Sequence, residues 1–143
     1  MDDATPLHSV SVAGAVYDRV TDSFLVIKRR DNSRWELPGG VLELNETVEE
    51  GVVREVLEET GVTVRPIKLT GIYKNMRQHV IALVFLCETF KGEPHATNEA
   101  SEVIWMPTRE LKSRMKEAFR VRLTDAMQTG HVAIRSHDGT SLL

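Results

Sequence analysis

A Pro38-Gly39-Gly40 turn followed by a helix with two marked ends is the feature that most constrains this chain. Thr47 is followed three residues later by Glu50, the spacing of a capping box, which marks the start of a helix. Gly61 supplies the residue type that commonly ends one. We therefore predict a helix over residues 47–60.

The predicted helix separates its carboxylates from its apolar residues. At the helical repeat, Glu55, Glu58 and Glu59 share an arc of roughly 100° beside a stripe of apolar side chains: Val48, Val52, Val53, Val56 and Leu57. Like charges one turn apart repel by a few tenths of a kcal/mol. A divalent cation would offset this repulsion, and oxygen ligands favour Mg²⁺ or Mn²⁺ over zinc. A solvated acidic face is the alternative that these carboxylates alone leave open.

Residues around the three glutamates favour the metal interpretation. Arg54 lies close to Glu58 on the wheel and can brace it by an ion pair. The Gly39-Gly40 turn can offer backbone carbonyl oxygens to a cation. Glu46 lies just before the cap, near the start of the helix. The segment therefore combines acidic ligands, a bracing cation and accessible backbone.

The pattern of residues 40–62 resembles the Nudix box at every position that the box specifies: Gly40, Glu46, Arg54, Glu55, Val56, Glu58, Glu59, Gly61 and Val62. The likeness extends more loosely over residues 10–112. It implies an α/β fold, the Nudix α/β/α sandwich with a mixed β-sheet and a loop–helix–loop catalytic motif. We expect residues 1–143 to form a single domain, and the role of residues 117–143 stays open.

The resemblance implies hydrolysis of a nucleoside diphosphate linked to another moiety, X, by attack of a metal-activated water. It assigns Glu55, Glu58 and Glu59 as catalytic metal ligands, and the carbonyl of Gly39 as another. Arg54 would orient the glutamates. Glu102 is expected to add a further metal ligand, with Glu99 as the alternate. Mg²⁺ is the expected cofactor and Mn²⁺ the alternative.

Substrate contacts are expected from basic and aromatic residues near the box. By the same resemblance, Arg30 at the end of the second predicted strand would contact phosphate, and Arg29 is the weaker candidate. Trp35 could stack on a base, although packing beneath the glycine turn is an alternative. Cys87 lies inside an apolar run, which does not favour a nucleophile, and the sequence contains no P-loop or Gly-x-Ser-x-Gly motif.

Composition limits the partners. The net charge of −3 gives no basic excess for a nucleic-acid polymer. The longest apolar run, residues 80–87, is too short to span a membrane. The acidic start Met1-Asp2-Asp3 differs from a signal peptide. We expect a cytoplasmic protein, monomeric or homodimeric, acting on a small nucleotide.

The resemblance favours a MutT-like enzyme acting on nucleoside triphosphates or related small nucleotides. Alternatives are hydrolysis of ADP-ribose, nucleotide sugars or dinucleoside polyphosphates, or a non-catalytic domain that senses a nucleotide. Outside the box, β-forming and helical patterns predict the remaining elements. They are strands over 9–17, 24–28, 62–73, 79–89 and 103–106, helices over 108–115 and 117–128, and a hairpin turn at Asp138-Gly139.

Overall fold

The computed structural model describes residues 4–128 and 130–143. The acidic residues 1–3, on which the expected localisation partly rests, lie outside the described residues. No helix within the described ranges is long and apolar enough to cross a membrane. These described residues form eight strands, three α-helices and one 3₁₀ turn. In chain order these are β1 (Ser9–Asp18), β2 (Ser23–Arg29), β3 (Trp35–Glu36), β4 (Gly39–Val41), α1 (Val48–Thr60), β5 (Thr63–Asn75), β6 (Val80–Lys91), β7 (Ala100–Pro107), the 3₁₀ turn (Thr108–Glu110), α2 (Leu111–Arg114), α3 (Glu117–Ala126) and β8 (Ala133–His137).

The strands form one mixed sheet in the order β3-β2-β1-β6-β5-β8. β1 runs parallel to β6 and antiparallel to β4, and only its last two residues pair with β2. β7 pairs antiparallel with β2, on the other side from the short β3. β1 therefore joins two groups of strands, and the turn that carries β4 lies directly on it.

Helices cover both faces of β1, as successive residues of a strand face opposite sides. Val12 and Val16 pack in a core with Val52 and Val56 of α1. Ala13 and Ala15 belong to a second core that includes Leu111 of α2 and Leu123 of α3, together with Tyr73 and Met106. The predicted α/β/α sandwich with a mixed sheet is confirmed.

Both predicted ends of α1 are present. Thr47 accepts a hydrogen bond from the Glu50 backbone N–H (3.2 Å), and the Glu50 carboxylate accepts one from the Thr47 backbone N–H (2.8 Å). Gly61 adopts the left-handed conformation with φ of 82°, and its N–H donates to the Leu57 carbonyl. The helix that carries the glutamates is therefore fixed at each end by local contacts.

Replacing Thr47 by Ala should lower the free energy of unfolding by about 1 kcal/mol, because the backbone N–H of Glu50 loses its acceptor. Urea unfolding measures the loss. Thr124→Ala, at an exposed position of α3, is the matched control and should change stability by less than about 0.5 kcal/mol. Equal losses for the two variants would show that the cap contributes nothing.

Candidate active site

Two glutamates of α1 are buried against the Gly39-Gly40 turn. Glu55 and Glu59 are only 8% and 4% exposed. Glu59 Oε1 accepts a hydrogen bond from the Gly39 N–H at 3.2 Å. A Cβ atom on Gly40 would lie 2.6 Å from Glu55 Oε1, so a glycine is required for this approach. The turn and the helix thus enclose two carboxylates between them.

This enclosure shifts the ionisation of both carboxyl groups. Burial, together with the charges of Glu55 and Glu99, raises the pKa of Glu59 to about 8, although the Gly39 N–H and Arg29 oppose the shift. Burial also raises the pKa of Glu55, against the opposing effect of Arg54. A nearby cation would stabilise both charged forms. The donor set therefore fits a hard divalent cation, which prefers carboxylate oxygens.

Arg54 binds carboxylates of α1 and of the loop that precedes it. Its guanidinium pairs with Glu46 at 2.7 Å, with Glu55 at 2.9 Å and with Glu58 at 3.2 Å. Nη2 also donates to the Val41 carbonyl. The hydrogen bonds from Arg54 hold the pKa of Glu46 down at about 2. Arg54 therefore links these acidic side chains by ion pairs, the contacts that an orienting role would require.

Glu58 differs from the other two glutamates. Its side chain is 58% exposed and its carboxylate contacts Arg54. Within residues 4–128 and 130–143, no three or more His, Cys, Asp or Glu side chains are grouped so that they could hold a metal ion. The structure thus brings Glu55 and Glu59 together in the interior, and it leaves Glu58 at the surface beside them.

A cavity of about 330 Å³ opens beside Glu59. This volume is at the lower end of the range for small-molecule sites. Strands β1 and β6, the glycine turn and α3 enclose it, and the residues that line it include Ser11, Ala13, Gly39, Gly40, Glu59, Ala82 and Phe119. Glu59 is the α1 glutamate that lines this cavity, whereas Glu55 lies behind Gly40.

The two adjacent arginines at the end of β2 differ in their surroundings. Arg29 lines the cavity, and Asp31 binds its Nε at 2.9 Å and its Nη2 at 2.6 Å. The guanidinium of Arg30 instead donates two hydrogen bonds to the Thr97 carbonyl at 2.9 and 3.0 Å. The structure therefore places Arg29, not the favoured Arg30, where it could contact a phosphate in the cavity.

Trp35 and Glu102 contact other side chains of the protein, and neither residue lines the cavity. Trp35 packs against the core on the α2 and α3 side, with the Arg114 guanidinium 5.0 Å from its ring, and does not line the cavity. Glu102 pairs with Lys28 at 3.4 Å. The alternate, Glu99, lies close enough to raise the pKa of both Glu55 and Glu59. Of the two, Glu99 is the carboxylate whose charge acts on the buried pair.

Sequence reasoning did not identify the residues that α3 and β8 add to the cavity. Arg122 and His137 both line it, and they are 8% and 1% exposed. Arg122 Nη2 lies 3.2 Å from His137 Nε2. One signal in the sequence could have indicated Arg122: it is an arginine between Ala118 and Leu123, which lie on the buried side of α3. The segments α3 and β8 therefore help to enclose the cavity.

Comparisons with known proteins agree with this geometry. The family described as the NUDIX domain matches residues 7–127, which extends the resemblance through α3. A MutT-like protein of Streptomyces ambofaciens is 49% identical over 138 residues, 96% of this chain and 89% of that protein. An ADP-ribose pyrophosphatase of Methanocaldococcus jannaschii is 38% identical over 103 residues, 67% of this chain and 60% of that protein.

The fold has a solved counterpart. The crystal structure of a NUDIX hydrolase from Nitrosomonas europaea matches with a TM-score of 0.78 at 21% identity, covering 93% of this chain and 81% of that one. At that identity the match bears on the fold alone. The family match and the two relatives bear on the activity, which is hydrolysis of a pyrophosphate bond in a nucleoside diphosphate-linked substrate. The chain belongs to the Nudix family of pyrophosphohydrolases.

Proposed function

We propose that this enzyme hydrolyses nucleoside triphosphates or related small nucleotides, with Mg²⁺ held by Glu55 and Glu59. The observation that carries the proposal is the burial of Glu59 at a cavity that Arg29 and Gly39 also line. A carboxylate, an arginine and a glycine turn around one cavity suit a polyphosphate with its counter-cation. The 49% identity to a MutT-like protein supports the MutT-like group, for which the sequence resemblance implies such substrates.

Each residue of the site has a role in this proposal. Glu55 and Glu59 would bind the cation, the Gly39 carbonyl would add a ligand, and Arg54 would hold Glu55 in place. A divalent cation neutralises the pyrophosphate and makes a water molecule more acidic. Mn²⁺ satisfies the same oxygen donors. Glu58 at the surface and Glu99 beside the buried pair are further carboxylates within the reach of this site.

The proposed reaction uses water as its nucleophile. Water attacks one phosphorus atom of the pyrophosphate, the bond from that phosphorus to the bridging oxygen breaks, and a site carboxylate takes the proton of the water. Glu55 and Glu59 are the candidates for this base. Burial raises the pKa of the Cys87 thiol to about 12, so it is not an effective nucleophile at neutral pH.

Arg29→Ala should lower kcat/KM about tenfold or more, because a charge-assisted hydrogen bond to phosphate is worth about 1.5–3 kcal/mol. Steady-state kinetics on the best substrate measure the loss. Arg30→Ala is the matched control, since it removes the neighbouring guanidinium, which binds the Thr97 carbonyl. The Arg30→Ala substitution should lower the melting temperature and change kcat/KM less than Arg29→Ala does. A larger loss of kcat/KM for Arg30→Ala would move the phosphate contact to Arg30.

ADP-ribose is the second candidate substrate, because a 38% identical relative is an ADP-ribose pyrophosphatase. A panel of nucleoside triphosphates, ADP-ribose, nucleotide sugars and dinucleoside polyphosphates, assayed with Mg²⁺ and with Mn²⁺, separates the two. We expect the highest kcat/KM for a triphosphate, with a nucleoside monophosphate and pyrophosphate as products. Preference for ADP-ribose, with AMP and ribose 5-phosphate as products, would replace the first proposal by the second.

A further inference from the structure

Arg122 is a buried cation without a carboxylate partner. Among the described residues, no Asp or Glu lies within ion-pair distance of its guanidinium, and its Nε atom has no hydrogen-bond partner. The rings of Tyr73 and Phe119 flank the guanidinium, with centroids 5.0 and 4.9 Å from Cζ. These ring contacts and the charge of Glu36, which lines the same cavity beyond ion-pair distance, compensate the charge of Arg122 only partly. Its Nε atom still lacks an acceptor.

His137 adds a second unsatisfied donor. The Gly139 backbone N–H donates to His137 Nδ1 at 3.0 Å, and a backbone N–H can only donate. Nδ1 is therefore the acceptor nitrogen, and the proton of the neutral ring lies on Nε2. Arg122 Nη2 lies 3.2 Å from this nitrogen and also carries hydrogens only. Two donor groups thus lie next to each other, an arrangement that one oxygen atom accepting a hydrogen bond from each of them would satisfy.

We propose that Arg122 and His137 form a subsite of two hydrogen-bond donors. This subsite binds an oxygen atom that carries full or partial negative charge on the non-pyrophosphate part of the substrate. Both residues line the same cavity as Glu59, so one small molecule can contact the subsite and the α1 carboxylate. The assignment to substrate rests on the proposed function. The donor arrangement itself does not.

Two parts of a nucleotide carry such an oxygen. One is a carbonyl on the base, present in ITP and replaced by an amino group in ATP. The other is a carboxylate on the second moiety, present in UDP-glucuronate and replaced by a hydroxymethyl group in UDP-glucose. Each pair differs at the group in question and keeps the pyrophosphate. Preference within one pair therefore identifies the source of the oxygen.

The test compares Arg122→Met with Arg120→Met. Methionine fills a similar apolar volume but donates no hydrogen bond, and Arg120 lies two residues away on α3 without lining the cavity. Dissociation constants are measured for all four nucleotides by calorimetry in EDTA, so that binding is read without hydrolysis. We expect wild type and Arg120→Met to prefer one oxygen-bearing ligand by about tenfold or more, and Arg122→Met to lose that preference.

Stability separates this role from a structural one. A buried charge without an acceptor is costly to the free protein, so Arg122→Met should melt at the same temperature as wild type or higher. Arg122→Lys keeps the charge and should retain part of the preference. Three outcomes would overturn the subsite: a lower melting temperature for Arg122→Met, an unchanged preference in that variant, or no preference in wild type. Preferential binding without hydrolysis in Mg²⁺ would contradict the proposed function and leave the subsite supported.

Discussion

Glu59→Gln is expected to lower kcat on the order of 10²-fold or more, the scale of losing a main electrostatic stabiliser of a transition state. Glutamine keeps the size of the side chain and can still accept the hydrogen bond from the Gly39 N–H. It removes the negative charge that would bind the cation. Because negative charge develops on the pyrophosphate as its bond breaks, the loss should appear mainly in kcat. Steady-state kinetics at saturating Mg²⁺ give the measurement.

Two other glutamates of α1 provide controls. Glu50→Gln changes an exposed residue whose carboxylate oxygen caps the helix, a role that glutamine also fulfils, and its activity should match wild type. Glu58→Gln should lose less activity than Glu59→Gln, because the side chain of Glu58 is 58% exposed and paired with Arg54. Equal activities for Glu59→Gln and Glu50→Gln would mean that the buried carboxylate has no part in catalysis.

The stability of Glu59→Gln provides a second readout. At a pH above the pKa of about 8, Glu59 is an ionised carboxylate at a 4% exposed position, which costs folding free energy, and Glu55 adds a like charge one turn away. In EDTA, the melting temperature of Glu59→Gln should therefore equal or exceed that of wild type. An activity loss combined with unchanged or higher stability assigns the effect to chemistry, not to unfolding.

Local patterns were sufficient to predict α1 and most of the strands. The capping box at Thr47, the left-handed Gly61 and the carboxylate arc all depend on neighbours within four residues, and such interactions are encoded in the local sequence. Strands β3, β4 and β8 were not predicted. β3 and β4 have only two or three residues and form through pairing with β2 and β1, and β8 forms through pairing with β5. Local propensity carries no information about that pairing.

Side-chain direction explains why the sequence did not indicate that Arg29, and not Arg30, lines the cavity. The ladder between β2 and β7 has an irregularity between Lys28 and Arg29. A bulge of this kind changes which way the following side chains point, so counting alternate residues from the strand fails at Arg29 and Arg30. The carbonyl that binds Arg30 belongs to Thr97, which is distant in sequence.

The contacts of the acidic and basic side chains beyond the box also depend on tertiary packing. Glu102 lies directly opposite Lys28 in the β2–β7 ladder, and an ion pair forms there. Glu99 lies before β7, and its charge acts on the α1 pair. Arg122 comes from a helix more than fifty residues beyond the box, and only its place on the buried side of α3 distinguishes it in the sequence.

Removal of divalent cations is expected to abolish hydrolysis, and added Mg²⁺ should restore it. A pyrophosphate entering the cavity would meet the carboxylate of Glu59, with Glu55 and Glu99 close enough to act on it electrostatically. Arg29 is the nearby opposing positive charge, and it is already paired with Asp31. Without a cation, repulsion from the carboxylates should weaken nucleotide binding and no water would be activated, so the nucleotide that binds should not be hydrolysed. Product release measured in excess EDTA, and after back-titration with Mg²⁺, gives the test.

Thermal unfolding can establish whether the cation acts at this pair. A ligand that binds only the folded state raises the melting temperature by mass action, so Mg²⁺ should stabilise wild type. Glu59→Gln should lose most of this shift, because one of the two buried carboxylates is gone, whereas Glu50→Gln should keep it. EDTA already saturated with Mg²⁺ is the control for effects of the chelator itself. Undiminished hydrolysis in excess EDTA would refute the metal-dependent mechanism, and an equal Mg²⁺ shift in both variants would place the cation elsewhere on the protein.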